Sequence, residues 1–409
     1  MSQIANFFTL FWVVYFPTCI AYNDQPGFMY VDEVMTVILM LYTFLNSGNW
    51  STNKRPWNEY YAFLGILMFF TVYGLTIGRN PDGVWLDFIQ EIRPYSVIFC
   101  TWILNPRFTD KQKKIMLGTM VVTLFSWIIV HPETVNDANA EFPVLGQLAI
   151  CTGMSWFLFT EETQKNKFIA LALVCTGLFA PKFKFMGEVV AFVGMLFFIK
   201  KQLDFKSPKT IVILSLLMTA VLYVTWERVD AYYVSGWNNE VKLARPETYK
   251  VAWAILWDYF PFGSGMGSFA CNGAWKYYSP LYPEYGLDEV WGLNAGGGFI
   301  CDAYYPTLAQ FGIVGVLFFF IFWKRRLVAF SQIKDMRYYK VAMMSFFCLA
   351  MEQTADSSFL SGKGMGFCML IALCLNANDN MEEEEDDDEE ECEEECLEED
   401  DALCCKSVS

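Results

Sequence analysis

Long apolar blocks free of acidic or basic residues constrain this chain's fold more than any other feature. Ala62–Gly78, Ile115–Val130, Thr210–Trp226 and Pro306–Trp323 are of this kind, and several approach the ~20 residues that a helix needs to cross a bilayer. Phe168–Ala180 and Tyr95–Leu104 are shorter and need tilt, polar flanks or burial in a bundle. Apolar residues make up 55% of the chain and aromatics 18%, which disfavours two or three soluble domains. Asn6–Ala21 is apolar with no basic residue before it, and reads as a first span rather than a cleaved leader. Twelve candidate spans emerge, near 7–21, 31–45, 62–78, 93–104, 115–131, 146–160, 168–180, 186–200, 210–226, 306–323, 341–355 and 364–376. The expectation is an all-α integral membrane protein.

The formal net charge of −16 comes from one segment, since residues 382–401 hold 17 of the 45 acids. Without that segment and Lys406, acids and bases are equal in number. A neutral body gives no footprint for nucleic acid, and the acidic run reads as a disordered, solvated tail. Its Cys392, Cys396, Cys404 and Cys405 lack the paired spacing of a zinc site.

Charge also orients the spans. With the N-terminus cytoplasmic, the inner connections carry 18 Lys and Arg and the outer ones ten, five of them in one long loop. That satisfies the positive-inside rule with both termini in the cytoplasm. The expected organisation is membrane helices over 1–226, an outward-facing loop over 227–305, further membrane helices over 306–380 and the tail over 381–409. With no cytoplasmic globular domain, any enzyme here must draw its substrate from the membrane. Cys271 and Cys301 fall in the long loop, where oxidation leaves a disulfide between them open.

Basic residues outside, against the charge bias, are the informative ones: Arg79, Arg93, Lys182, Lys184, Arg228 and Arg245. Arg at membrane depth costs ~2.5–3.5 kcal/mol on insertion scales, and a bidentate phosphate would offset it. Snorkelling to lipid headgroups is the plainer account of each one singly. Within the loop, Pro246 suits a helix start just after Arg245, and Val251, Ile255, Leu256 and Tyr259 recur at helical spacing. Phe262-Gly-Ser-Gly-Met-Gly267 follows, too tight for ordinary residues. No strand precedes it, so it is no dinucleotide fingerprint. Trp275, Tyr277, Tyr278 and Trp291 suit stacking on sugar faces and equally suit a membrane interface. Asp302 stands at the mouth of the apolar helix from Pro306.

Arg245 with its Pro-Glu-Thr-Tyr helix start, Phe260-Pro-Phe-Gly-Ser-Gly-Met-Gly267, Tyr277-Tyr-Ser-Pro-Leu-Tyr282, Val290-Trp-Gly-Leu293 and Asp302 with Tyr305-Pro306 and Gln310-Phe-Gly-x-x-Gly315 resemble the O-antigen polymerases of the O-antigen ligase and polymerase superfamily, in a Bacteroidales-like branch. The resemblance covers roughly residues 245–315. It implies a GT-C-type architecture in the cell inner membrane, with the active site facing the periplasm. It also implies undecaprenyl-diphosphate-linked oligosaccharide as substrate, no cofactor or metal, membrane lipids as surroundings and a chain-length regulator as a candidate partner. Superfamily ligases carry a histidine just before the Gly-x-x-Gly helix; here that region offers Cys301 and Asp302, and the one histidine is His131. That departure counts against a ligase.

Displacing a lipid diphosphate from an anomeric carbon needs cations at the leaving group and a base for the acceptor hydroxyl. Arg245, Arg79, Arg93, Lys182 and Lys184 are the candidates for the first role, and Asp302 or Glu247 for the second. No Asp-x-Asp pair lies outside the tail, which disfavours a metal-dependent sugar-nucleotide site. The rival of another class is a lipid-oligosaccharide flippase, for which Glu188 is the mid-span ionisable candidate and Glu352 lies nearer an end.

Overall fold

The structure, a computed structural model, describes residues 2–24, 30–46, 54–130, 144–179, 182–203, 207–236 and 242–377. The acidic tail with its four cysteines and His131 lie outside these residues. Helix is the only regular structure among the described residues. Each of the twelve apolar segments falls largely on a helix: α1 Ser2–Asp24, α2 Val31–Asn46, α3 Lys54–Thr76, α4 Val84–Leu104, α5 Asp110–Val130, α6 Val144–Phe159, α7 Gln164–Cys175, α8 Phe183–Val193, α9 Pro208–Val229, then, beyond the loop, α14 Gly312–Phe330, α15 Met336–Glu352 and α16 Gly362–Ala377. Local chemistry sets several starts. Thr163 caps α7 by accepting from the Asn166 amide (3.2 Å), Asp335 caps α15 through the Arg337 amide (2.7 Å), and Pro208 opens α9 where an amide hydrogen is dispensable.

Among the described residues, four helical runs are long and apolar enough to cross a membrane: Arg55–Thr76, Asp110–Val130, Pro208–Val234 and Tyr304–Phe330. Burial sorts the helices into a centre and a rim. Residues 94–104 of α4, nearly all of α6 and residues 364–376 of α16 are buried. Only 11% of the apolar window in Pro208–Val234 is buried, and Ile211, Val212, Leu216 and Tyr223 face outward. Water would not sustain apolar faces of that extent, whereas hydrocarbon suits them. Close packing at the centre uses small residues, as membrane bundles do: a Cβ on Gly153 of α6 would strike Val174 of α7 at 2.4 Å.

Neighbouring helices meet start to end, Phe7 of α1 against Tyr42 of α2 and Phe168 of α7 against Phe197 just past α8, so charged and polar contacts gather at two ends. At one end Glu59 of α3 meets Arg325 and Arg326 of α14, and the Leu203 amide donates to the Tyr339 hydroxyl (3.0 Å). At the other, Arg93 of α4 meets Asp32 and Glu33 of α2 and the Leu360 carbonyl.

The long connection between α9 and α14 begins later than expected. The α9 helix continues past Trp226, and a π-helical stretch carries it through Asp230–Val234, because no Gly or Pro interrupts the chain before Gly236. Beyond it the loop folds on itself through α10 Ala244–Asp258, α11 Asn272–Lys276, α12 Leu281–Glu284 and α13 Tyr304–Thr307. Ile255, Phe269, Leu281, Tyr282, Leu293 and Ile300 form a second, smaller core inside it. Helix α10 ends where its pattern predicts, but it begins at Ala244, so Arg245 lies within the first turn rather than before it.

The glycine-rich segment fastens this loop to the bundle. Gly265 (φ +94°) and Gly267 (φ +81°) adopt left-handed backbone, and a Cβ on either would lie 2.5 Å from Gly78 of the α3–α4 connection or from Gly83 beside it. The Gln310 side-chain carbonyl accepts from the Gly267 and Ser268 amides (2.9 and 3.2 Å), while its Nε2 donates to Asp87 on α4 (2.6 Å). Tyr73 of α3 donates to the Gly263 carbonyl (2.8 Å). The close backbone approach accounts for the glycines of this segment, and the buried amide accounts for Gln310 opposite it.

Candidate functional site

Arg245 and Asp302 come together although 57 residues separate them. Arg245 stands in the first turn of α10, and Asp302 in the turn before α13. The guanidinium donates through Nε (2.9 Å) and Nη2 to one carboxylate oxygen, Asp302 Oδ2, and lies over the Tyr232 ring at 4.5 Å. Both side chains are only partly buried. Burial pushes the Asp302 carboxyl up, and Arg245 only partly pulls it back. The guanidinium goes the other way: its pKa is raised despite the cost of burial, because Asp302 holds the charge.

Aromatic hydroxyls pin the surrounding backbone. Tyr233 and Tyr249 both donate to the Thr354 carbonyl (2.8 and 2.9 Å), with their rings edge to face at 5.7 Å. Tyr305 donates to the Ala350 carbonyl (2.9 Å) and the Tyr304 amide to the Gln353 carbonyl (3.1 Å). These contacts tie the loop to the end of α15 and set Asp302 beside a second charged group. There Lys184 binds Glu352 (2.5 Å) and Asp356 (3.3 Å), and Lys363 also reaches Asp356 (3.4 Å). Asp356 and Lys184 both act electrostatically on Asp302. Burial alone would raise Asp356, but Lys184 and Lys363 outweigh it and hold the carboxyl near about 2. Glu188, fully buried on α8 one turn beyond Lys184, interacts electrostatically with Glu352, Lys184 and Asp356 of this group.

The other sequence candidates separate. Arg93 is 2% exposed and already holds Asp32, Glu33 (2.5 Å) and the Leu360 carbonyl (2.6 Å), the arrangement of a structural cation. Arg79 pairs with Glu284 on α12, and its amide donates to the Ser264 carbonyl (3.1 Å). Lys182 sits at the residue before α8. Glu247 takes Lys250 as its partner, one turn along α10 (2.6 Å). Trp275, Tyr277 and Trp291 present exposed rings, whereas Tyr278 is half-buried and donates to the Leu293 carbonyl (3.2 Å). Cys271 and Cys301 are free thiols: Cys271 turns to Gln310 (3.6 Å), and Cys301 to Asn272 (3.0 Å). No metal-binding group of His, Cys, Asp or Glu occurs among the described residues.

Sequence reasoning missed the Lys184–Glu352–Asp356–Lys363 group as a unit, because its members come from helix ends far apart in the chain. The signal open to it was an outer connection carrying Asp356 and Lys363 next to a span that ends in Glu352. It also missed Asp87 and Glu91, one turn apart on α4 and both buried.

No protein-family model matches this chain, and a search of curated proteins finds no match. The class therefore rests on the architecture: an all-helical protein with membrane-length apolar helices and a folded loop over one end of the bundle.

Proposed function

We propose that this chain is a membrane glycosyltransferase of GT-C type in the cell inner membrane, crossing it about twelve times, and that it polymerises oligosaccharide repeats carried on undecaprenyl diphosphate. In this reading both termini are cytoplasmic and the loop faces the periplasm. One observation carries it: a partly open Arg–carboxylate pair, with Lys184 and Asp356 alongside, at the end of an apolar bundle. Such a place can hold an anionic leaving group and a base side by side. An acceptor hydroxyl would attack the anomeric carbon from the face opposite the diphosphate, inverting it. The new C–O bond forms as the bond to the diphosphate breaks, and the lipid diphosphate departs with the electron pair. Arg245 and Lys184 stabilise that charge, and Asp302 takes the hydroxyl proton. No metal is required. Diphosphate bound to Arg245 would also loosen its hold on Asp302, leaving the carboxylate to act as base. The exposed rings of Trp275, Tyr277 and Trp291 would line the sugar path. Arg93 and Lys184 each hold two carboxylates, but Arg93 is 2% exposed and becomes scaffold in this scheme, whereas Lys184, 20% exposed, can turn to a ligand.

The test is reconstituted protein supplied with polyprenyl-diphosphate-linked repeat units, its products run on a gel beside Arg245→Ala. A ladder lost in the variant supports the proposal, and retained polymer length would sink the clamp. No product from wild type, even with a lipid A-type acceptor for ligase activity, counts against both enzyme readings. One observation favours the transport reading: Glu188 is a fully buried carboxyl within a helix, the kind of ionisable group that transporters place in the bundle. A flippase would move labelled lipid-linked oligosaccharide between leaflets without lengthening it, and Glu188→Gln would stop the movement.

A further inference from the structure

A cleft of about 330 Å³ opens between α3, α4 and α14, and its inner end reaches Tyr304 of α13. Aromatic rings line it, among them Phe63 and Phe70 from α3 and Phe318 and Phe322 from α14. Its two ends are polar. One is closed by Glu91 and Tyr304, hydrogen-bonded at 3.0 Å, and a Glu91 oxygen remains without a partner although the residue is 3% exposed. The other is flanked by Glu59 and Arg325. There one carboxylate faces three guanidiniums: Arg55 at 3.6 Å, Arg325 at 3.9 Å and Arg326 in closest contact. Arg326 is fully buried against the Phe99, Trp102 and Phe322 rings, while Arg55 and Arg325 are more than half exposed at the mouth.

The cleft's length identifies its occupant. Glu59 and Phe70 stand on the same helix, eleven residues apart, which is about 16 Å at ~1.5 Å per residue. That is close to half of a ~30 Å hydrocarbon core, the depth of a single leaflet. An acyl chain of one leaflet fits this run, whereas a polyprenyl chain is far longer. The mouth, with an excess of arginine over carboxylate, matches an anionic headgroup rather than a zwitterionic one. We infer that the cleft binds one acyl chain of an anionic phospholipid, with Arg55 and Arg325 on the lipid phosphate. This inference does not rest on the glycosyltransferase reading. It needs only that the bundle lies in a membrane with its arginine-rich end at a lipid surface.

The experiment uses the full chain in detergent, titrated with phosphatidylglycerol or phosphatidylcholine of equal acyl length and read by native mass spectrometry for retained lipid. Two arginines at an anionic surface should favour phosphatidylglycerol by about 30-fold. The Arg55→Ala/Arg325→Ala variant should lose that preference. Ala62→Phe, an exposed position lining the cleft, should reduce retention of the lipid by filling the space for its chain. Both variants change exposed side chains, so unfolding temperatures unchanged from wild type confirm that the fold survives. Equal retention of the two lipids by wild type would overturn the inference. So would a phosphatidylglycerol preference that survives in both variants. Displacement of the lipid by polyprenyl phosphate, stronger with longer tails, would reassign the cleft to a polyprenyl substrate.

Discussion

The glycine segment at 262–267 and the Arg245–Asp302 pair belong to the same loop, and both stand out in the sequence, yet they differ in what remains for a ligand. The glycine segment is closed. Its amides, the Gln310 amide and an Asp87 oxygen satisfy one another, and backbone lies against backbone with no room for a Cβ. The pair is open on one side and rests on rings and charges that leave it partly exposed. Salience in sequence does not separate scaffold from chemistry; the separation comes from whether polar groups are already spent on each other.

The largest effect should come from breaking the closed half. Gly267→Val places a β-branched side chain at φ +81° against the Gly83 backbone. Strain and overpacking each cost roughly 1–3 kcal/mol, so a loss of about 4 kcal/mol is expected, seen as a lower yield of folded protein and a lowered thermal midpoint in detergent. A midpoint equal to wild type would mean that the loop is not held as described. Arg245→Ala should behave in the opposite way. Stability should fall by about 2 kcal/mol or less, since charge-assisted hydrogen bonds of this kind contribute ~1.5–3 kcal/mol. Polymer formation should drop roughly 100-fold or more, the scale for removing one charge-stabilising donor. If both variants lost activity only in proportion to lost fold, the contrast between the two regions would collapse.

A finer effect lies in the pH dependence of the open half. Burial raises the Asp302 carboxyl above the ordinary value of 3.8, and Arg245 only partly counters this. As a base Asp302 must be ionised, so activity should fall as pH drops through the raised value, at higher pH than an unperturbed aspartate would dictate. Asp302→Asn should remove that acid limb along with most of the rate. An acid limb that persists unchanged in the residual activity of the variant would move the base elsewhere, with Glu247 the next group to substitute.

The helical pattern was open to sequence because it depends on blocks of one physical character: Thr210–Trp226 has no charge, and it lies on α9. The end of α10 was equally readable, since Pro261 and Gly263 stop the pattern after Asp258. What sequence could not supply were the pairings across the bundle. Arg93 and Arg245 are both outer arginines, and only the positions of Asp32, Glu33 and Leu360 show that the first is already occupied. The loop's own core was hidden for a related reason. Phe269, Leu281 and Leu293 are isolated apolar residues among turn formers, with no period to announce that they meet.

The smallest effect is expected at Arg79, and it tests where the open region stops. Arg79 and Glu284 are each more than a third exposed, so their ion pair contributes under about 1 kcal/mol. Arg79→Ala should leave the thermal midpoint nearly unchanged. Its effect on activity decides more. Glu284 already neutralises Arg79, and its neighbours belong to the glycine segment, with its own amide bound to Ser264. A diphosphate held by Arg245 and Lys184 would therefore gain little from it, and polymer formation should change by less than about 3-fold, a difference of under ~1 kcal/mol. A loss comparable to that of Arg245→Ala would extend the anion site across the loop to α12 and make Glu284 a group that must move aside when substrate binds.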